Sequence, residues 1–154
     1  MDKAFVTVHE DNHLLVVDKS PGVLVQGDKT GDKPLLDYCK DYIKEKYNKP
    51  GAVFLGTVHR LDRPVSGLVV FARTSKALER MNKLFKDRKI KKVYWAVVKK
   101  RPPAWEGKLV NWLKKDEQKN KTTAYDEPVD GALKSELKYK SLGKLNDHYL
   151  LEIQ

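Results

Sequence analysis

Apolar residues in the first part of the chain fall into short runs divided by bends. Leu14 to Lys19 and Val23 to Gln26 read as two strands around the turn Ser20-Pro21-Gly22. The polar stretch Gly27 to Lys33 predicts a loop. Pro34 then opens a helix on which Leu35, Leu36, Cys39, Ile43 and Tyr47 recur at helical spacing, closed by Lys49-Pro50-Gly51. Val53 to Leu55 is a further short strand. Leu68 to Ala72 is almost continuously apolar, which predicts a strand buried on both faces. Thr74 and Ser75 can cap a second helix, where Ala77, Leu78, Met81, Leu84 and Phe85 form one stripe with Lys and Arg opposite.

From Lys91 the period changes to two. Val93, Trp95 and Val97 alternate with Tyr94, Ala96 and Val98, again predicting two buried faces. Leu133, Ser135, Leu137 and Tyr139 alternate with Lys134, Glu136, Lys138 and Lys140, which predicts one wet face. Tyr149, Leu151 and Ile153 continue the alternation. The sum is a mixed α/β fold of the α+β kind, a predominantly antiparallel sheet with flanking helices. No internal repeat or low-complexity tract interrupts it.

The chain has 154 residues, 40% of them hydrophobic, enough for the core of one globular domain. Its single cysteine, Cys39, excludes an internal disulfide framework and a thiolate-rich metal site, and its place on the apolar side of a helix predicts a buried small hydrophobe. No apolar run approaches the ~20 residues that span a bilayer. The N-terminal Met-Asp-Lys-Ala-Phe lacks a signal-peptide pattern, so a cytoplasmic protein is expected. Lys and Arg number 31 against 21 Asp and Glu, a formal charge of +10, which favours a polyanionic partner such as nucleic acid. A lysine-rich surface kept for solubility accounts for the same balance.

Polar chemistry concentrates in Val58-His59-Arg60-Leu61-Asp62-Arg63-Pro64-Val65-Ser66-Gly67, between apolar stretches that read as core. Polar groups so close to a core must be paired or must do a job. Arg60 and Arg63 can keep the Asp62 carboxylate ionised and hence nucleophilic or basic, while Pro64 and Gly67 bend the chain around it. A loop held together by an Asp–Arg pair is the competing reading.

His59-Arg60-Leu61-Asp62 followed by Ser66-Gly67 resembles the signature of RluA-like RNA pseudouridine synthases. Three more blocks resemble that family in the same order. Glu10 to Gly22 matches its opening strand and turn, Leu68 to Thr74 the strand after the signature, and Lys92 to Val98 its second motif. Val65 stands where the family usually has Thr. The resemblance implies a pseudouridine synthase catalytic domain over 1–154, and an enzyme that isomerises uridines in structured RNA, rRNA or tRNA. The chain stops at Gln154, before the family's third motif with its basic partner for the catalytic Asp. A catalytic domain without its C-terminal part, inactive by itself, is therefore expected.

By the same resemblance Asp62 matches the catalytic aspartate and Tyr94 the tyrosine stacked beside the target base. The carboxylate either attacks C1′ of the ribose or removes a proton at C2′, and both routes stay open. The target base must be flipped out of its stack. Arg60 resembles the arginine that fills the vacated space, with structural pairing to Asp62 as its alternative, and His59 and Arg63 complete the substrate-binding group. Two basic stretches are candidates for phosphate contact: Lys83, Lys86, Arg88, Lys89, Lys91 and Lys92, and then Lys99, Lys100 and Arg101. A solvated helix face explains the first equally well. Trp105 and Trp112 are read either as stacking platforms or as covers for the sheet. The family's chemistry needs no metal and no cofactor, and a monomer without membrane attachment is expected of the complete enzyme. The rival class is a non-catalytic RNA-binding domain of the same fold, which needs no carboxylate at position 62.

Overall fold

The computed structural model describes residues 4–119 and 121–154. The chain divides into two compact units, one up to Ile90 and the other from Lys91.

The first unit is a four-stranded antiparallel sheet with two helices. Its strands are β1 (Phe5–Glu10), β2 (Leu14–Lys19), β3 (Gly56–Thr57) and β4 (Gly67–Ala72), in the order β1-β2-β4-β3. Its helices are α1 (Leu35–Lys46) and α2 (Ser75–Lys86). Asp11 closes the β1–β2 turn by accepting the N–H groups of His13 and Leu14, each at 2.7 Å. Cross-strand pairing sets Leu15 against Phe71 and Val17 against Val69, so all four share one face. On that face they join Leu35, Cys39 and Ile43 of α1 in a core from which water is excluded. Burial pushes the Cys39 thiol up to about 12, so it packs as an inert hydrophobe.

The opposite face belongs to α2. Gly56 pairs with Ala72, and a Cβ on Gly56 would lie 2.6 Å from Leu78 Cδ2, so the glycine lets α2 approach the β3–β4 end closely. Thr74 caps α2 by accepting the N–H of Ala77 at 3.1 Å. Because α2 covers only that end, Leu68 is 56% exposed and Val70 half-buried, and β4 is fully buried on one face rather than two.

Two predicted strands are absent. Residues 23–26 form no ladder. Instead the carbonyls of Leu24 and Val25 accept the N–H groups of Leu35 and Leu36, capping α1 where Pro34 offers no side-chain cap, while Val25 itself is buried. Residues 53–55 are also unpaired; Leu55 is buried and Val53 packs on the core, and the ladder begins one residue later, at Gly56.

The second unit is a five-stranded antiparallel sheet of β5 (Tyr94–Val98), β6 (Glu106–Asp116), β7 (Lys121–Tyr125), β8 (Leu133–Leu145) and β9 (His148–Ile153), ordered β5-β9-β8-β6-β7. Tyr139, Ser141 and Leu151 are its buried residues. The wet face expected of β8 is present, with Lys134, Glu136, Lys138 and Lys140 all exposed. The two buried faces expected of β5 are not: Trp95 is 72% and Val97 66% exposed. β5 is an edge strand paired only with β9, and no helix of this unit lies among the described residues to cover it.

Candidate functional site

β3 is two residues long because the chain leaves the sheet at Val58 and returns at Gly67, and the segment between presents Asp62. Departure of the strand leaves the Val70 N–H of β4 without a backbone partner on that side. The His59 ring replaces it, accepting that N–H at Nε2 over 3.1 Å and stacking on Phe85 of α2 with ring centroids 5.3 Å apart. An amide can only donate, so Nε2 carries the lone pair and the ring is bound in its neutral form.

The far side of the loop is clamped to the Ser20-Pro21-Gly22 turn. The Arg63 carbonyl accepts the Gly22 N–H at 2.8 Å and the Lys19 ammonium at 3.2 Å. The Arg63 side chain answers, donating Nε to the Gly22 carbonyl at 3.0 Å and pairing with Asp32 at 2.8 Å. A turn closes in between, with the Val65 N–H on the Asp62 carbonyl at 3.0 Å. Gly67, at φ +131°, ends the loop in a conformation that side-chain-bearing residues rarely adopt. Asp62 thus sits exposed on a loop fixed from three directions, and among the described residues no cationic nitrogen lies within 4.0 Å of its carboxylate.

Sequence reasoning missed the residue at the centre of this clamp. Lys19 is wholly buried, and its Nζ donates to the carbonyls of Ser20 at 3.0 Å, Val23 at 2.8 Å and Arg63 at 3.2 Å. Burial pulls its ammonium below the usual lysine value. The available signal was alternation: Lys19 follows Leu15 and Val17 at spacing two and so falls on the core face.

In the first unit Arg60 is exposed, and Lys89 lies exposed just beyond α2. In the second, Tyr94 is 39% exposed and pairs with Ile153 of β9, while Lys91, Lys92, Lys99, Lys100 and Arg101 are all exposed. The Asp–Arg pair of the competing reading is not formed at Asp62 among the described residues, where Arg63 pairs with Asp32 instead. Among the described residues no group of three or more His, Cys, Asp or Glu is placed to hold a metal ion, and no helix is long and apolar enough to cross a membrane.

A family model described as RNA pseudouridylate synthase matches residues 13–154. The chain is 32% identical over 114 residues to the ribosomal large subunit pseudouridine synthase C of Buchnera aphidicola subsp. Acyrthosiphon pisum, covering 74% of this chain and 34% of the relative. It is 36% identical over 92 residues to the dual-specificity RNA pseudouridine synthase RluA of Haemophilus influenzae, covering 59% and 38% of the two. The structure named human RNA pseudouridylate synthase domain containing 4 shares the fold, with a TM-score of 0.79 at 22% identity over 96% of this chain and 57% of that one. The chain spans about a third of the length of the curated relatives it matches first.

Proposed function

The chain belongs to the RNA pseudouridylate synthase family, and from that premise we propose that it serves the isomerisation of specific uridines in structured RNA, with Asp62 as the catalytic carboxylate. The observation that supports this most is the treatment of Asp62. An exposed carboxylate stands on a loop immobilised by the His59 ring, the Lys19 and Gly22 donors and the Arg63 side chain. Such rigid presentation suits a group that must meet one atom of a substrate.

The reaction breaks the bond from C1′ to N1 of uracil and makes one from C1′ to C5, while the C5 proton leaves and N1 gains one. Atoms and electrons balance within the nucleoside, so the scheme uses no cofactor. Asp62 acts at the sugar, either on C1′ as nucleophile or at the C2′ proton as base. Tyr94 stacks on the detached base, its phenol beside the proton that leaves C5. The uridine must leave its stack to reach the loop, and Arg60, an exposed residue, takes the vacated space. The contacts of His59 and Arg63 support positioning of the loop. Lys89, Lys91, Lys92, Lys99, Lys100 and Arg101 provide phosphate contacts without reading sequence. The name of the Buchnera relative supports rRNA as the substrate, and that of the Haemophilus relative supports RNA of more than one kind.

The test is a carbodiimide primer-extension map of RNA from cells lacking the gene. At least one pseudouridine should disappear, return with the wild-type gene, and stay absent with Asp62→Asn, which keeps the size of the side chain and removes its charge. If every pseudouridine persists without the gene, the catalytic reading is wrong and the fold serves RNA binding alone.

A further inference from the structure

In the second unit, the connection from β5 to β6 and the β8–β9 hairpin enclose a cleft of about 280 Å3, just under the ~300 Å3 at which ligand sites usually begin and enough for a single planar ring. Its walls include Arg101, Trp105, Ser141, Lys144 and Tyr149, with Pro102-Pro103 stiffening one side, and among the described residues no carboxylate lines it. Trp105 keeps 62% of its surface exposed. Lys144 stands opposite Tyr149 in the hairpin with Nζ 5.6 Å from the ring centroid. Among the described residues neither Arg101 nor Lys144 belongs to an ion pair, although salt bridges form elsewhere on this sheet.

Ser141 adds an independent observation. It is 2% exposed, and its Oγ is buried without a hydrogen-bond partner. Its backbone is well held, with the N–H donated to the Trp105 carbonyl at 2.7 Å. A β-bulge follows at once, where the register with β9 shifts between Ser141 and Gly143. Bulges re-aim side chains and recur beside functional sites. A buried hydroxyl left unsatisfied costs stability, and a ligand donor or acceptor in this cleft removes that cost.

We propose that this cleft is a binding subsite for one unstacked nucleotide of single-stranded RNA, outside the carboxylate loop. The base stacks on the exposed face of Trp105, the phosphate lies between the cations of Arg101 and Lys144, and Ser141 Oγ bonds the base or the ribose. A planar ring joined to an anion is the chemistry that two aromatic side chains, two cations outside any ion pair among the described residues, and one hydroxyl recognise together. The subsite rests on RNA being the substrate and adds a contact that resemblance to relatives did not supply.

The experiment is fluorescence anisotropy of a labelled single-stranded oligouridylate of roughly eight nucleotides, a usual site size for such binders. Trp105→Ala should weaken binding about tenfold, as expected for loss of one stacked base, and Trp105→Phe should restore most of it. Lys144→Ala should flatten the salt dependence. Ser141→Ala should raise the melting temperature of the free protein, because an unsatisfied buried hydroxyl is removed, and still weaken binding, which a purely structural serine would not do. The subsite is overturned if Trp105→Ala and Ser141→Ala bind like wild type, or if polyglutamate of equal charge competes as well as the RNA does. Absence of wild-type binding overturns it too. The pseudouridine map with Asp62→Asn is a separate readout, so either proposal can fail while the other stands.

Discussion

Lys19 places a charge where no water reaches it, answered among the described residues by three backbone carbonyls. Replacing it with Met has opposing effects: the desolvated charge disappears, but the carbonyls of Ser20 and Val23 lose this donor, while that of Arg63 keeps the Gly22 N–H. An acceptor left without its donor, as at the Val23 carbonyl, costs up to about 1–3 kcal/mol, so the net expected at neutral pH is destabilisation, with the Asp62 loop loosened. The pH dependence follows from the depressed lysine. Between its lowered value and the usual 10.5 the unfolded chain binds more protons than the folded one, so this residue's contribution rises with pH across that window and is least favourable below it. The stability gap between wild type and Lys19→Met in urea titrations should therefore grow as pH is raised toward 10.5. A gap that stays flat there means the ammonium is not held as described. Asp62 stood out in the sequence as a candidate because its neighbours form a contiguous signature. Lys19 did not, because its role comes from a contact with Arg63 across 44 positions of chain.

At the scale of elements, local periodicity was reliable and long-range pairing was not. α1 and α2 lie where the apolar stripes put them, since a helix satisfies its own backbone and its pattern is written within a few turns. β7, Lys-Thr-Thr-Ala-Tyr, has every residue exposed and is a strand only through its partner β6, so no alternation announced it. Residues 23–26 have strand composition yet cap a helix, a use that becomes visible only once α1 is in place. Glu10 shows how separate elements are tied. From the end of β1 its carboxylate accepts Tyr42 Oη at 2.9 Å, Lys46 Nζ at 2.7 Å, Tyr47 Oη at 2.7 Å and Arg73 at 3.0 Å. Burial works to raise its pKa, but the hydrogen bonds from Lys46, Tyr47 and Tyr42 outweigh it and bring the carboxyl from 4.5 to about 2. A depressed carboxyl contributes stability that is present above 4.5 and lost as pH falls through about 2. Glu10→Gln should cost about 1–2 kcal/mol at neutral pH, and its deficit against wild type should close across that acid window. A deficit that stays constant on acidification would show that charge is not what ties β1 to α1. Gly67→Ala probes the other junction: with φ at +131° it should destabilise by about 1 kcal/mol or more even though only Leu61, 3.8 Å away, stands near the new methyl.

For the molecule as a whole, the formal charge of +10 is the property that would govern an encounter with RNA on the proposed reading. The exposed cations are distributed over both units, with Lys89 near the end of the first and Lys91, Lys92, Lys99, Lys100 and Arg101 in the second, so they act on the polyanion through summed potential as well as individual contacts. Phosphate neutralisation releases counterions, and each contact steepens the fall of affinity with salt by about 0.7 on a log–log plot for single strands and about 0.9 for duplex. Replacing Lys89, Lys91 and Lys92 together with Ala should lower the slope by about 2–3 if all three meet phosphates. The loss should be equal for RNAs of different sequence, because these contacts read no bases. Stability should hold, since all three side chains are exposed. Affinity measured at several salt concentrations on two unrelated structured RNAs separates the outcomes. A reduced slope common to both RNAs identifies a phosphate track along this segment. An unchanged slope identifies a solvated lysine surface, and the charge that draws RNA must then reside in the Lys99-Lys100-Arg101 connection or elsewhere.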